Sequence, residues 1–362
     1  MAAHQRDSGV SVSSFFARCK LPSNTRDDCD IFAKTHFPSE ESRPVPFQGY
    51  CSYTMIVGRD RIVQFRPAGH GLDVDIIAAA RRIFGGIVPE TKFLGALEDS
   101  DLRVYAMTKL EGVSLSDLRL SSSPGRTRSL RRHVVQDFAR IQATSWLHRR
   151  SENQVSAKRL VGSSLRWRID AIMANIPEKF KRFVYIAHQS LQDIENLPWV
   201  MSHGDFIPAN VLVCPNTGRV KGLLDWAEAE WLPFGVGMYG LEELLGEEVD
   251  GRFKYHTEAR ELRVLFWKCL SSLVPELSRD LRFSENVKRA QLLGILFWHA
   301  IAFDDGKLDR VVEEGVDDGE IQRLEAFLLS SSGPPYMRTR RNLGEKWRFS
   351  YNHVRKFMVG EK

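Results

Sequence analysis

The feature that most constrains this chain is a polar loop held between short apolar runs at residues 199–226. Apolar, strand-like runs lie on both sides of the loop, and a Pro/Asn/Gly turn at residues 214–219 separates the last two runs. Such a turn joins antiparallel strands. The pattern therefore predicts a hairpin that brings Asn210 and Asp225 side by side at the mouth of a cleft, with Asp205 five residues before Asn210.

Asp205, Asn210 and Asp225 are residue types that suit phosphoryl transfer to a hydroxyl group. In that reaction a protein mainly positions groups and neutralises charge, so it needs oxygen ligands for Mg²⁺ and a base beside the attacking hydroxyl. The order along the chain predicts Asp205 as the base, and the Asn210 amide oxygen and Asp225 carboxylate as metal ligands. The alternative is a chance loop between two core strands, in which Asp and Asn side chains only cap turns.

The string His203-Gly-Asp205, four further residues and Asn210, followed by Asp225-Trp226, resembles the aminoglycoside phosphotransferase / choline kinase-like family. The resemblance implies an α+β, protein-kinase-like fold of two lobes. The small lobe is built on an antiparallel sheet, and the larger lobe is mainly helical and contains the catalytic hairpin. The activity implied is ATP- and Mg²⁺-dependent phosphorylation of a small-molecule hydroxyl, with Asp205 as base and His203 bracing the loop.

The resemblance also implies a nucleotide site in the small lobe. Gly49 and Ser52 are expected in or beside the loop that covers the nucleotide phosphates, where small residues let backbone N–H groups approach phosphate oxygens. Residues 47–57 and 62–66 are predicted to be two strands joined by a tight turn at residues 58–61. In the second strand, Gln64 occupies the place of the expected lysine. Arg66 lies two residues on and points to the same face of a strand, and its guanidinium also suits phosphate.

A helix is predicted from Asp73 to a Gly-Gly stop at residues 85–86. Its first turn offers Asp75, in place of the usual glutamate, as an ion-pair partner of the basic strand residue. The alternative is a helix N-terminal carboxylate stabilised by the helix dipole. The resemblance further implies a hinge between the lobes, where main-chain groups from Met107 to Lys109 pair with an adenine edge.

Composition and the lobes implied by the resemblance together predict four parts. Residues 1–44, rich in Ser, Asp and Arg, are expected to form a loose leader with one short helix near Ile31. Residues 45–109 form the small nucleotide-covering lobe and residues 110–330 the large helical lobe. The basic C-terminal extension, residues 331–362, either packs its aromatic side chains on the body or contacts nucleic acid or a membrane. The first alternative is preferred, so no nucleic-acid partner is expected.

The location is predicted to be cytoplasmic. The five cysteines are odd in number and scattered without a Cys-x-x-Cys pair, which argues against a disulfide framework or a zinc site. The longest apolar stretch, residues 292–302, is too short for a membrane span, which takes about 20 residues.

The acceptor is predicted only as a small hydroxyl compound. Acidic residues crowd positions 242–250 and would attract a cationic substrate, or they form a solvated helix face, which is the commoner arrangement. His299 lies on an apolar helix face and is expected to be a core histidine. Because Gln64 replaces the lysine, a catalytically impaired pseudokinase that acts as a nucleotide-binding regulator or scaffold is the alternative function.

Overall fold

A five-stranded antiparallel sheet forms the small lobe, with the strands in the order β1-β2-β3-β5-β4. The structure is a computed structural model that describes residues 12–46, 48–118, 124–155, 158–304 and 307–334. The strands of this sheet are β1 (Ser42–Pro44), β2 (Tyr53–Val57), β3 (Arg61–Pro67), β4 (Thr91–Ala96) and β5 (Leu102–Thr108). The tight turn predicted between β2 and β3 is present, and Gly58 in that turn has a φ of 60°.

Two helices cover one face of the sheet. Helix α1 (Val12–Arg18) and helix α2 (Thr25–His36) bury Phe15 and Cys29 completely against Phe65 of β3. The expectation of a loose leader is therefore wrong for residues 12–44, although α2 does contain the helix predicted near Ile31. Only a few apolar side chains anchor these helices, because their spacing places them on one helix face in an otherwise polar segment.

Helix α3 (Val74–Phe84) follows the sheet as predicted. The Asp73 side chain caps its N-terminus by accepting hydrogen bonds from the backbone N–H groups of Asp75 and Ile76, both at 3.1 Å. Gly85 ends the helix with a φ of 66°, which a residue with a Cβ rarely adopts.

The large lobe is mainly helical. Its helices are α4 (Pro124–Leu147), α5 (Leu165–Asn175), α6 (Lys181–Gln189), α7 (Leu191–Glu195), α8 (Gly240–Leu244), α9 (Ala259–Leu273), α10 (Glu276–Arg279), α11 (Leu281–His299) and α12 (Asp318–Leu324). Helices α4 and α9 pack together, with the Phe138 and Phe266 rings 5.4 Å apart between centroids. Every residue from Asn286 to His299 except Lys288 and Arg289 is buried, which makes α11 the central helix of this lobe.

Short strands complete the large lobe. They are β6 (Val113–Ser114), β7 (Trp199–Ser202), β8 (Val211–Val213), β9 (Val220–Leu223), β10 (Glu230–Pro233), β11 (Gly246–Val249), β12 (Arg252–Tyr255), β13 (Ile301–Asp304) and β14 (Lys307–Val311). Helix α11 ends at His299, and the chain then enters β13. None of the described helices is long and apolar enough to cross a membrane. Residues 335–362, which include most of the basic extension, lie outside the described residues.

Candidate active site

Two strand pairs hold the polar loop predicted from the sequence. Strand β7 pairs with β10, and β8 pairs with β9 as the antiparallel hairpin expected across the Pro/Asn/Gly turn. Beyond the hairpin, the Leu224 N–H donates to the Asn210 carbonyl at 2.8 Å. Asn210 and Asp225 therefore lie at the same end of the hairpin, next to each other.

The Asn210 side chain is oriented by Asp205. Its Nδ2 donates to the Asp205 carboxylate Oδ2 at 2.8 Å and to the Asp205 main-chain carbonyl at 3.0 Å. These bonds engage the amide nitrogen and leave the Oδ1 side of the amide as the metal-competent end. Asp205 itself is buried, with an exposed fraction of 4%.

His203 joins the two sides of the loop as a neutral ring. Its Nε2 donates to the Leu224 carbonyl at 2.8 Å, and its Nδ1 accepts from the Asp205 N–H at 3.3 Å. A carbonyl only accepts and an amide N–H only donates, so these partners assign the proton to Nε2. Burial lowers the pKa of His203 to about 4, against the opposing charge of Asp225.

Gly204 allows another part of the chain to enter the loop. Its φ is 84°, and a Cβ built on it would lie 2.0 Å from the Glu228 carbonyl oxygen. Only glycine fits this close approach. The backbone that follows Asp225 therefore packs directly against the loop and carries the Glu228 side chain into the cleft.

Three carboxylates meet in this cleft. Asp205, Asp225 and Glu228 each offer an oxygen, and these oxygens lie within 4.8 Å of one another. Asp225 has a φ of 56°, in the left-handed region that is uncommon for residues other than glycine. Burial raises the pKa of Glu228 well above its usual value, and the negative charges of Asp225 and Asp205 raise it further.

Arg66 of β3 supplies the positive charge from the small lobe. Its Nη1 lies 3.8 Å from Asp225 Oδ1, and its Nε donates to the His70 carbonyl at 2.7 Å. Gln64, in the place of the expected lysine, accepts from Arg66 Nη1 at 3.1 Å. Gln64 thus orients the arginine, and the arginine faces the metal-competent carboxylate.

The loop predicted to cover nucleotide phosphates is closed by internal hydrogen bonds. Gln48 Nε2 donates to the Val45 carbonyl at 2.9 Å and to the Thr54 carbonyl at 3.1 Å, and its Oε1 accepts from the Thr54 N–H. The Ser52 hydroxyl is buried and lies 3.1 Å from the Thr54 hydroxyl. Ser52 therefore shapes the loop with its side chain, while Gly49 is exposed.

The N-terminal helix also holds this loop. The Arg18 guanidinium lies 4.0 Å from the centroid of the Tyr50 ring and donates to the Tyr50 carbonyl. Cys51, next in the chain, lies close enough to be affected by Arg66 and Asp225, but burial dominates and raises the pKa of its thiol to about 11. The thiol is therefore protonated at neutral pH.

The remaining predicted nucleotide residues lie at the edge of the small lobe. Met107 is in β5 opposite Ile62. The Lys109 N–H donates to the Asp60 carbonyl at 2.8 Å, so this donor is used inside the lobe. Asp75 is exposed in the first turn of α3, and among the described residues Arg66 forms its ion pair with Asp225 instead. This arrangement favours the helix-end alternative for Asp75.

The geometry can be compared with known proteins. The family model described as the phosphotransferase enzyme family (APH) matches residues 60–236. These residues run from β3 to just past the carboxylate cluster. The chain belongs to this family. No curated protein matches it.

Three solved structures are similar to this chain. A mutant of aminoglycoside 2'-phosphotransferase-IIIa in complex with GDP matches with a TM-score of 0.52 and 14% identity, over 75% of this chain and 87% of that one. Aminoglycoside phosphotransferase APH(3'')-Id from Streptomyces rimosus matches with a TM-score of 0.45 and 14% identity, over 76% and 99%. A thermostable mutant of APH(4)-Ia, in a ternary complex with AMP-PNP and hygromycin B, matches with a TM-score of 0.43 and 16% identity, over 76% and 89%. At these identities the likeness concerns the fold alone.

Sequence reasoning missed Glu228 in this phosphotransferase. Glu228 lies three residues after Asp225, and an Ala-Glu-Ala-Glu run gives no signal that one glutamate enters the cleft while the other does not. Glu230 accepts from the Val161 and Gly162 N–H groups at 3.0 and 2.8 Å, whereas Glu228 turns toward Asp205. The positive φ of Gly204 is the feature that separates them, and it is visible only in three dimensions.

Two of the acidic residues at positions 242–250 cannot contribute to the predicted field for a cationic substrate, because they are buried and paired. Glu242 is fully buried and accepts two hydrogen bonds from Arg263, at 2.9 and 2.6 Å. Glu243 is paired with Arg323 at 3.0 Å. These two residues therefore neither attract a substrate nor lie on a solvated helix face, because each is paired with an arginine inside the lobe. His299 is a buried core histidine, as predicted, and contacts Glu320 at 2.7 Å.

Proposed function

We propose that this phosphotransferase transfers the γ-phosphoryl group of a purine nucleoside triphosphate, with ATP as the expected donor, to a hydroxyl group of a small molecule. The observation that carries the proposal is the convergence of Asp205, Asn210 and Asp225 on one cleft, opposite Arg66 of the small lobe. The likeness to a fold that holds GDP in another phosphotransferase supports a purine nucleotide.

Asp205 is proposed as the general base. One carboxylate oxygen, Oδ2, is held by Asn210 at 2.8 Å, so the orientation of the group is set. As the acceptor oxygen forms its bond to the γ-phosphorus and the bond to the β-phosphate oxygen breaks, the hydroxyl proton passes to Asp205 and the nucleoside diphosphate leaves. His203 keeps the loop in place from below, as a neutral hydrogen-bonding ring.

Asn210 and Asp225 are proposed as ligands of Mg²⁺. The donor set fits that ion, because an amide oxygen and a carboxylate are hard oxygen ligands and Asp225 is 39% exposed toward the cleft. When bound, Mg²⁺ neutralises phosphate charge in the transition state. Arg66, two residues after the position of the expected lysine, adds a second positive group, which is held by Gln64 and the His70 carbonyl.

The test is a nucleotide-consumption screen over a library of hydroxyl compounds, with ATP and GTP as donors and cationic and neutral acceptors both included. Phosphorylated product is identified by mass spectrometry. Asp205→Asn should lower turnover by about 10²- to 10⁴-fold, the usual range for loss of general-base help. Unchanged turnover in Asp205→Asn would remove Asp205 from the mechanism.

The pseudokinase alternative predicts a different result. In that case Mg²⁺ and ATP would raise the melting temperature of the wild type without product formation from any acceptor. Asp225→Ala should abolish the Mg²⁺-dependent part of that shift in either case. The replacement of lysine by the Gln64–Arg66 pair is the observation that motivates this second candidate.

A further inference from the structure

The cleft has an excess of negative charge. Asp205, Asp225 and Glu228 bring three carboxylates within 4.8 Å of one another, and Arg66 brings one guanidinium to Asp225. His203 contributes no positive charge near neutral pH, because burial lowers its pKa to about 4. With the carboxylates ionised, the formal charge of these groups is −2, which one divalent cation would balance.

One carboxylate oxygen of Glu228 is left unsatisfied within the described residues. Its Oε2 is shielded from solvent and has no hydrogen-bond partner there. Its neighbour Glu230, two residues along the same loop, has both oxygens occupied by backbone N–H groups. A buried carboxylate oxygen without a partner is costly, so a position that keeps one indicates a ligand that the oxygen binds.

The backbone forces Glu228 into this position. The Glu228 carbonyl, carbonyl carbon and Cβ would lie 2.0, 2.4 and 2.6 Å from a Cβ at Gly204, so the loop and residue 228 are packed as closely as two chains can be. This packing fixes the backbone and Cβ of Glu228 beside the loop, and from there the side chain reaches the Asp205 and Asp225 carboxylates. The close packing at Gly204 and the unpartnered oxygen are independent observations that point to the same side chain.

We propose that Glu228 is a ligand of a divalent cation that the cleft binds, together with Asp225, before the nucleotide arrives. The inference rests on the proposed function, since it concerns the same cleft, but it adds a ligand that the motif does not contain. Several carboxylate oxygens converging at this distance suit a hard divalent cation such as Mg²⁺ or Mn²⁺. Asp205 stays the residue that faces the acceptor hydroxyl.

The experiment measures Mn²⁺ binding to the nucleotide-free protein by isothermal titration calorimetry. Wild type is expected to bind one Mn²⁺, and Glu228→Gln should weaken that binding by about tenfold or more. The control is Glu178→Gln, which removes one negative charge from a side chain that is 80% exposed and lies outside the cleft. The control should bind Mn²⁺ as the wild type does.

Thermal unfolding gives a second readout that does not depend on activity. Without metal, Glu228→Gln should melt no lower than the wild type, because glutamine has nearly the same shape and adds no negative charge beside Asp205 and Asp225. Added Mn²⁺ should raise the melting temperature of the wild type and have a much smaller effect on Glu228→Gln. A structural role for the charge would instead make Glu228→Gln melt lower than the wild type in the metal-free state.

Two results would overturn the inference: no Mn²⁺ binding by the nucleotide-free wild type, or equal binding by wild type and Glu228→Gln. If Glu228→Gln does not fold, Glu228→Asp takes its place, because it keeps the charge and withdraws the oxygens by one methylene, and unchanged Mn²⁺ affinity there is equally negative. These outcomes are separate from the proposed function, which stands or falls on product formation with Mg²⁺ and nucleotide together.

Discussion

The protein has clusters of acidic side chains in two regions, and the regions differ in the partners that these side chains have. In the large lobe, Glu242 is 0% exposed and receives both hydrogen bonds of the Arg263 guanidinium together with the Tyr255 hydroxyl at 2.6 Å. In the cleft, the carboxylates of Asp225 and its neighbours share one arginine, whose Nη1 is 3.8 Å from the nearest oxygen. The first region is compensated within the protein, and the second is not.

The difference distinguishes carboxylates that serve the fold from the carboxylates of the candidate active site. A buried carboxylate that serves only the fold needs a partner, because an unpaired buried charge is destabilising. The large lobe supplies such partners, as Arg323 pairs with Glu243 and two backbone N–H groups donate to Glu230. A set of carboxylates left with too few cations is stable only if a ligand completes it or if the fold tolerates the strain, and this is typical of active sites.

The largest loss of stability is expected when an arginine is removed from the compensated region of the large lobe. Arg263→Met should lower the free energy of unfolding by about 3–5 kcal/mol, because Glu242 is left buried without its ion-pair partner. Urea denaturation measures the effect. The double variant Arg263→Met/Glu242→Leu is the control and should recover much of the loss. A cost below about 1 kcal/mol for the single variant would show that the pair is not needed.

Acid should weaken the compensated region. Burial favours a higher pKa for Glu320, but its hydrogen bond to His299, the charge of His299 and then that of Arg323 outweigh burial and lower the pKa to about 2. Glu243 also faces His299, at 3.4 Å. A carboxyl with a depressed folded-state pKa stabilises the protein above its unfolded value of 4.5, and the contribution is lost as the pH falls toward 2.

The size of that loss should be up to about 3 kcal/mol, from the two pKa values. Urea denaturation at a series of pH values between 5 and 2.5 measures it, with Glu320→Gln as the comparison. That variant should be less stable than the wild type near neutral pH and should lose less stability on acidification. Parallel pH curves for the two proteins would contradict the prediction.

A smaller effect is expected from closing the space that Gly204 leaves in the uncompensated region. Gly204→Ala should cost about 1–3 kcal/mol, because the residue has a φ of 84° and its Cβ would collide with the Glu228 carbonyl. It should also lower phosphotransfer activity, since Asp205 must move with it. Gly86→Ala is the control, because a Cβ there meets nothing within 4 Å. Equal stability of the two variants would mean that the contact at Gly204 is not close in solution.

The parts of the fold predicted from the sequence are those set by short-range pairing. The hairpin that joins Asn210 to Asp225 needs only a turn and two short apolar strands, so the pattern within thirty residues was enough. The same is true of the β2–β3 hairpin and of α3, whose cap at Asp73 and stop at Gly85 are local signals. Where a local signal was weak, prediction failed, as for the helices α1 and α2.

The sequence by itself determined the elements of the proposed phosphoryl-transfer half-site: Asp205, Asn210 and Asp225 flank one hairpin, because chain connectivity places them there. Only the tertiary structure decided which charges face one another. Arg66 comes from the other lobe, and Arg263 and Arg323 lie 21 and 80 residues from the glutamates that they pair with. Glu228 enters the cleft because its backbone meets Gly204. Such pairings depend on how distant segments pack, and they cannot be predicted from periodicity or spacing along the chain.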